Sequence, residues 1–120
     1  MKLKGQDPKD ICLKLLKRSN CSVQVAACLV DNRSGYGIYA TGWNHMGKDG
    51  YGEHAEIMCF KRANPKRVKN SILYVASQRK RNKKPVKSKP CAACWPCARM
   101  CSYIIYRDSN GEWVTMRGDL

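Results

Sequence analysis

The segment that most constrains the fold is residues 71–77, which read Ser-Ile-Leu-Tyr-Val-Ala-Ser and contain no charged side chain. An apolar run of this kind is typical of a central strand that is buried on both faces of a sheet. Predicted helices lie before and after it, beginning near Glu53 and at Cys91. Because helices must cover such a strand, the sequence predicts an α/β domain built in layers.

Local signals predict the other elements around this strand. Asp7 and Pro8 form a typical helix start, an N-cap followed by proline, and the helix is predicted to run to about Arg18. Four further strands are predicted at residues 20–31, 36–42, 103–106 and 112–116. The resulting order, αββαβαββ, predicts α/β/α layers around a mixed sheet of about five strands.

The connection between the last two predicted strands is short. It consists of residues 108–111 and contains an Asn-Gly turn signal. A parallel pair of strands needs a crossover of about a dozen residues or more, so these two strands are predicted to form an antiparallel hairpin. No internal repeat or linker interrupts the sequence, and residues 1–120 are predicted to form a single domain.

The composition excludes several classes of protein. Hydrophobic residues make up 43% of the chain and charged residues 27%, which excludes wholesale disorder and a coiled coil. The longest purely apolar run, residues 25–30, is far shorter than the ~20 residues that span a bilayer, so no membrane helix is expected. No apolar leader segment is visible. We therefore expect reduced cysteines and an intracellular protein, cytoplasmic or, in a eukaryotic host, nuclear.

The charge balance favours an anionic partner. Lys and Arg number 23 and Asp and Glu 9, which gives a net charge of +14. Such a field attracts phosphorylated small molecules and nucleic acid. The densest basic segment is predicted as a loop that contacts phosphate or single-stranded nucleic acid, with a solvated surface or a localisation signal as the alternatives. Its basic residues are Arg79, Lys80, Arg81, Lys83, Lys84, Lys87 and Lys89.

Two short motifs at predicted helix starts contain side chains that can bind a metal ion. His54-Ala55-Glu56 opens one helix, and Pro90-Cys91-Ala92-Ala93-Cys94 opens the next. Cysteines three residues apart at a helix start lie on one face, so both sulfurs can reach one metal, and the helix dipole should lower the thiol pKa. With His54 as the third ligand, the fourth position stays open for water. The pattern predicts a catalytic rather than a structural Zn²⁺ site.

Glu56 completes this pattern. The combination H-x-E…P-C-x-x-C is the signature of zinc deaminases, in which the glutamate is not a ligand. We expect Glu56 to take a proton from the zinc-activated water and to deliver protons to the ring nitrogen and the departing ammonia.

At these residues the chain resembles the cytidine/deoxycytidylate deaminase superfamily, and the likeness covers roughly residues 20–116. The resemblance implies the cytidine-deaminase fold, a Zn²⁺ cofactor and conversion of cytosine to uracil, commonly in a homo-oligomer. It also implies that Asn44, in Gly-Trp-Asn, contacts the substrate. The other candidate substrate contacts are Ala55 and the aromatic residues Trp43, Trp95 and Tyr51.

The substrate remains open between two classes. The short final hairpin resembles the branch of the superfamily that acts on free nucleosides, which favours (deoxy)cytidine or its monophosphate. The net charge of +14 favours single-stranded DNA or RNA instead. The topology ranks the small substrate first, because it constrains access to the site more than net charge does.

Two other readings of the cysteines compete with the deaminase. Cys91, Cys94, Cys97 and Cys101 have the ferredoxin-type iron–sulfur spacing, but Ser102 replaces the usual proline. A structural zinc in a nucleic-acid-binding module is the other reading. Neither accounts for a glutamate two residues after a histidine. We expect the cysteines outside the metal site to be core residues, namely Cys12, Cys28, Cys59, Cys97 and Cys101. We also expect Pro96 to kink or delay the helix after Cys94.

Overall fold

The computed structural model describes residues 7–32, 37–47 and 52–118. Its strands are β1 (Val23–Asp31), β2 (Ile38–Trp43), β3 (His45–Met46), β4 (Gly52–Glu53), β5 (Ser71–Arg79), β6 (Tyr103–Arg107) and β7 (Trp113–Arg117). Its α-helices are α1 (Pro8–Leu15), α2 (Ala55–Arg62), α3 (Pro65–Val68) and α4 (Trp95–Ala98), and a 3₁₀ turn, Leu16–Arg18, follows α1. In these ranges no helix has the length and apolar character needed to cross a membrane.

The main sheet is mixed and five-stranded, with the strand order β2-β1-β5-β6-β7. β1 is antiparallel to both β2 and β5, β5 is parallel to β6, and β6 is antiparallel to β7. The turn between β6 and β7 uses Gly111 at φ 83°, a conformation that glycine adopts readily. The predicted α/β fold class and the antiparallel final hairpin are both confirmed.

Helices cover both faces of the sheet. On one face Cys12 and Leu16 pack against Ala26, Cys28 and Val30 of β1. On the other face the α2 residues Ala55 and Cys59 pack with β1 and β5. Residues 71–77 of β5 are all buried, as predicted for a central strand. The odd and even residues of β1 therefore belong to two separate cores, which fixes α1 and α2 on opposite sides.

The sequence signals at Asp7 and Pro8 correctly predict where α1 begins. The Asp7 carboxylate accepts a hydrogen bond of 2.9 Å from the Lys9 amide, and Pro8 opens α1. α3 has no counterpart in the prediction, although Asn64 and Pro65 form the same kind of N-cap and first turn. Three glycines in residues 45–52 predict a loop there, and the structure forms the small β3–β4 hairpin in this segment. Asn-Arg-Ser-Gly at residues 32–35 predicts a turn between β1 and β2. Residues 48–51 of the loop and residues 33–35 of the turn lie outside the described residues.

The predicted helix over residues 91–101 is wrong in its extent. Only Trp95–Ala98 is α-helical, and a tight turn holds residues 91–94, with the Cys94 amide donating to the Cys91 carbonyl over 3.0 Å. Pro96 is the reason. Proline has no N–H and fits only the first turn of a helix, so α4 begins one residue before it.

The densest basic segment is a loop, as predicted, and backbone hydrogen bonds turn the chain back on itself within it. The Arg79 amide donates to the Lys84 carbonyl over 2.9 Å, and the Val86 amide donates to the Ser77 carbonyl over 3.1 Å. Lys83 occupies the left-handed region at φ 61° within this turn. We call residues 79–89 the basic reversal.

Candidate active site

The predicted metal ligands meet where the start of α2 faces the turn before α4. His54 is the N-cap residue of α2, and its Nδ1 atom lies 3.3 Å from the Cys94 Sγ atom and 3.6 Å from the Cys91 Sγ atom. The three ligand atoms all lie within 4.8 Å of one another. Two elements that are distant in sequence therefore present a three-donor site.

The donor set and its spacing fit Zn²⁺. Zinc–nitrogen and zinc–sulfur bonds of about 2.0–2.1 Å and 2.3 Å at a tetrahedral angle place nitrogen and sulfur about 3.6 Å apart. The observed separations of 3.3 and 3.6 Å agree with that geometry. Two thiolates and one imidazole suit zinc, and three protein ligands leave a fourth position for water or substrate.

The pKa of the Cys94 thiol differs from the value expected from the sequence. Burial raises the pKa of this thiol, and the nearby Glu56 carboxylate raises it further. The expected lowering of the pKa by a helix start is wrong here, because α4 has only four residues and Cys94 is buried at its N-cap. A raised thiol pKa means that a cation must displace the proton, so metal uptake at this site releases protons.

Glu56 lies in the first turn of α2 and is buried, with 5% of its surface exposed. Burial raises the pKa of its carboxyl group, while hydrogen bonds from its own backbone amide and from the Cys94 thiol oppose that rise. The carboxylate is not among the clustered ligand atoms. Its position beside the metal ligands suits a group that exchanges protons with a water held there.

A cavity of about 350 Å³ opens next to Glu56. Its walls come from the start of β1, the end of β2, the β3–β4 hairpin and the start of α2. The residues that line it are Cys21, Val23, Val25, Asn44, His45, Met46, Gly52, Glu53, His54, Ala55 and Glu56. The predicted residues His54, Ala55, Glu56 and Asn44 thus share one cavity, which has the size of a small-molecule site.

Asn44 is anchored as well as exposed to this cavity. Its Oδ1 atom accepts hydrogen bonds from the Ser19 hydroxyl over 2.6 Å and the Val25 amide over 2.8 Å. Its Nδ2 atom donates to the Val23 carbonyl over 2.9 Å. An amide nitrogen carries two protons, and the described residues supply a partner for one of them. Asn44 therefore has one N–H group left to donate to a bound molecule.

The close approach of α2 to β2 depends on Gly42. A Cβ atom at this position would lie 2.3 Å from the Ala55 carbonyl oxygen and 2.7 Å from the Cys59 amide nitrogen. Both neighbours are backbone atoms that cannot turn away. Glycine at position 42 therefore lets the helix that carries Glu56 pack directly beside β2, which Asn44 follows.

Comparison with known families agrees with this geometry. A family model described as the cytidine and deoxycytidylate deaminase zinc-binding region matches residues 5–116. This chain belongs to that deaminase family. The match spans both motifs, and the His54–Cys91–Cys94 cluster is the candidate site for the zinc of this family.

The structure of the deaminase domain also resembles a solved one. The crystal structure of cytidine deaminase from Burkholderia pseudomallei matches with a TM-score of 0.67 and 14% identity. The match covers 92% of this chain and 90% of the other. At this identity the likeness shows a shared fold. No curated protein sequence matches the chain.

The aromatic candidates do not line the deaminase cavity in the described part of the chain. Trp43 lies in a neighbouring groove, with the guanidinium groups of Arg18 and Arg62 each 5.0 Å from its ring centre. Trp95 lies beside Cys91 in a separate shallow cavity. Tyr51 falls outside the described residues. Their roles as substrate contacts remain predictions.

The basic reversal lies beside the cavity rather than in its wall. The Lys80 amide donates to the Ser22 carbonyl over 2.8 Å, and Arg79 pairs with Val23, which does line the cavity. The backbone of the basic reversal therefore adjoins one edge of the cavity at Arg79 and Lys80.

The sequence analysis missed His45 as a cavity residue. Its Nδ1 atom is buried and has no hydrogen-bond partner in the described part of the chain. Its position directly after Asn44 was a signal, but the β3–β4 hairpin that turns it toward the cavity was not predicted.

The four-cysteine cluster does not assemble. Among the described residues the only group of three or more potential ligands is His54, Cys91 and Cys94. Cys101 is fully buried in the core, and Cys97 lines a separate apolar cavity with Phe60. This arrangement disagrees with a ferredoxin-type cluster.

Proposed function

We propose that this deaminase hydrolyses the exocyclic amine of cytosine in (deoxy)cytidine or its monophosphate. The observation that carries the proposal is the position of Glu56, a buried carboxyl group that shares one small cavity with His54. A structural zinc site has no need of such a carboxyl group beside an open cavity.

The mechanism follows from the positions of the side chains. His54, Cys91 and Cys94 would hold Zn²⁺, which would act as a Lewis acid and make hydroxide available near neutral pH. Glu56 accepts the proton lost by water and passes it to the ring nitrogen, and it then conveys a proton to the leaving amine. The C4–N bond breaks, a C4–O bond forms, and one water is consumed for each ammonia released. Asn44 donates its remaining N–H to the substrate and orients it.

Two features support a small substrate. The cavity volume of about 350 Å³ lies at the lower end of the range for small-molecule sites. The antiparallel pairing of β6 with β7 resembles the branch of the family that acts on free nucleosides.

A polynucleotide is the second candidate substrate. The basic reversal favours it, because the reversal contacts Ser22 and Val23 at the edge of the cavity. Neither ion pair found among the described residues involves the reversal, so its cations are available for phosphate.

A competition assay tests both substrates. Cytidine, deoxycytidine, deoxycytidine monophosphate and a single-stranded oligonucleotide with one cytosine are mixed with zinc-loaded enzyme, and each is followed by mass spectrometry. The Glu56→Gln variant is the control. We expect it to keep about one zinc per chain and to lose turnover by about 10²–10⁴-fold.

Each outcome of the assay has one meaning. Faster conversion of the small substrates supports the proposal, and faster conversion in the oligonucleotide replaces it with the second candidate. No conversion of any substrate by the zinc-loaded protein, together with tight binding to the oligonucleotide, would indicate a non-catalytic metal-binding module.

We also propose an intracellular homo-oligomer. All eight cysteines are free thiols, which agrees with a reducing compartment. The homo-oligomer follows from the family resemblance alone, and light scattering on the purified protein measures it.

A further inference from the structure

A second ligand-binding surface lies at the edge of the sheet, outside the catalytic cavity. β2 is an edge strand, and a groove of about 360 Å³ runs along it between α1 and α2. We call it the Trp43 groove. The polar and aromatic residues that line it are Lys14, Lys17, Arg18, Thr41, Trp43 and Arg62.

The groove concentrates positive charge around one indole ring. The Arg18 and Arg62 guanidinium groups each lie 5.0 Å from the centre of the Trp43 ring. Lys14 and Lys17 add two exposed ammonium groups, and no acidic side chain lines the groove in the described part of the chain. The two ion pairs among the described residues, Lys61–Glu53 and Arg67–Asp31, lie elsewhere. The groove therefore favours an anionic ligand.

The side-chain chemistry selects among anionic ligands. Indole and guanidinium groups both offer flat surfaces on which a nucleobase can stack, and lysine side chains neutralise phosphates. A mixed aromatic and cationic groove of this type is characteristic of sites that bind single strands, whose bases are free to stack. A single phosphate ion would use the cations but not the rings.

The groove and the catalytic cavity adjoin through one short stretch of chain. Trp43 lies in the groove and Asn44 in the cavity. On the facing segment Arg18 lies in the groove, and the hydroxyl of the next residue, Ser19, donates to the Asn44 Oδ1 atom over 2.6 Å. Three residues further on, Ser22 accepts a hydrogen bond from the basic reversal. Cationic segments thus adjoin the cavity at two places.

We propose that the Trp43 groove binds single-stranded nucleic acid, DNA or RNA, with bases stacked on the Arg18–Trp43–Arg62 surface and phosphates near Lys14 and Lys17. The proposal goes beyond the proposed function, since binding in the groove does not require deamination.

Fluorescence anisotropy with a labelled 15-residue oligothymidylate tests the groove, because this strand contains no cytosine. The test variant is Arg18→Gln/Arg62→Gln, and the control with the same change in net charge is Lys66→Gln/Lys69→Gln, in α3 and at its C-cap and outside the groove lining. We expect the groove variant to bind at least about tenfold more weakly and the control to stay within about twofold. Because the phosphates are placed near Lys14 and Lys17, a Lys14→Gln/Lys17→Gln variant should lower the slope of log K against log salt concentration by about 1.4, since each phosphate contact contributes ~0.7 for a single strand.

A second variant, Trp43→Phe, keeps the proposal testable if Arg18→Gln/Arg62→Gln does not fold. Trp43→Phe keeps a ring in the groove but removes an indole that reports on stacking. Oligothymidylate should quench the intrinsic fluorescence of the parent protein and quench that of Trp43→Phe much less. Circular dichroism and zinc content confirm that each variant is folded. An oligouridylate arm distinguishes RNA from DNA as the preferred strand.

Three results would overturn the proposal. Equal loss of binding in the groove variant and the control would assign binding to the overall charge. Undetectable binding of both strands at low salt would exclude the site. Binding of anionic phosphatidylglycerol vesicles through Arg18 and Arg62, without binding of either strand, would assign the groove to a membrane surface.

Discussion

Gly42 shows how one missing side chain sets the geometry of the site. The Gly42→Ala substitution places a methyl group against the backbone of α2, where neither Ala55 nor Cys59 can yield without moving the helix. We expect the free energy of unfolding to fall by about 1–3 kcal/mol, and deaminase activity to fall further because Glu56 moves with the helix. Urea unfolding and a deamination assay measure the two effects.

Gly37 supplies the matched control, since nothing lies within 4 Å of a Cβ atom placed there. Gly37→Ala should leave both stability and activity nearly unchanged. Equal effects at the two glycines would show that the close approach of α2 to β2 does not position the site.

The metal ligands lead to a second prediction at the residue scale. Cys94→Ser should lower the zinc content of the purified protein from about one per chain to a small fraction, because a serine hydroxyl is a poor zinc ligand. Cys97→Ser should keep the metal, since Cys97 lies outside the ligand cluster. Plasma mass spectrometry of the purified proteins measures zinc and iron together. Iron in the parent protein that is lost from Cys97→Ser would restore the four-cysteine interpretation.

The ligands themselves were predictable from the sequence, because metal chemistry demands particular side chains at particular spacings. The anchoring of Asn44 was not. Its partners Ser19, Val23 and Val25 lie on β1 and just before it, and only the pairing of β1 with β2 brings them together. The burial of the His45 Nδ1 atom likewise depends on the β3–β4 hairpin, which has no strong local sequence signal.

At the scale of elements, the position of Pro96 in α4 determines whether this proline stabilises or destabilises the folded protein. In the structure Pro96 lies in the first turn, where its fixed φ angle suits the helix and no hydrogen bond is lost. Pro96→Ala should therefore destabilise the zinc-loaded protein by about 0.4–1 kcal/mol, through greater freedom of the unfolded chain. A continuous helix over residues 91–101 predicts the opposite sign, because proline inside a helix costs ~3 kcal/mol. Guanidinium unfolding at fixed zinc concentration decides between the two.

The elements that the sequence predicted well are those with strong local or periodic signals. Asp7 and Pro8 mark α1, and the apolar run of β5 marks the central strand. The errors fall where a single residue outweighs the pattern around it. Pro96 delayed the start of α4 to Trp95, so the helix predicted from Cys91 is shorter than the sequence pattern indicates.

At the scale of the whole molecule, charge and topology point to different substrates. The final hairpin was predictable, because the short connection predicted at residues 108–111 leaves little choice, whereas the order of the five strands was not predicted. The grouping of Arg18, Trp43 and Arg62 was not, since these residues come from three separate segments and meet only in the folded chain. Net charge is visible in a sequence, but its distribution over the surface is a property of the fold.

The field of a molecule with net charge +14 should appear in the salt dependence of its kinetics. Cytidine is neutral, so its kcat/KM should change little between about 50 and 200 mM salt, whereas an oligonucleotide that releases counterions along several phosphates should lose at least about tenfold. The monophosphate should fall between them. Initial rates at five salt concentrations, with zinc content held constant, measure all three slopes. A steep slope for cytidine would show that salt acts on the protein itself. A flat slope for the oligonucleotide would mean that neither the basic reversal nor the Trp43 groove takes part in its capture.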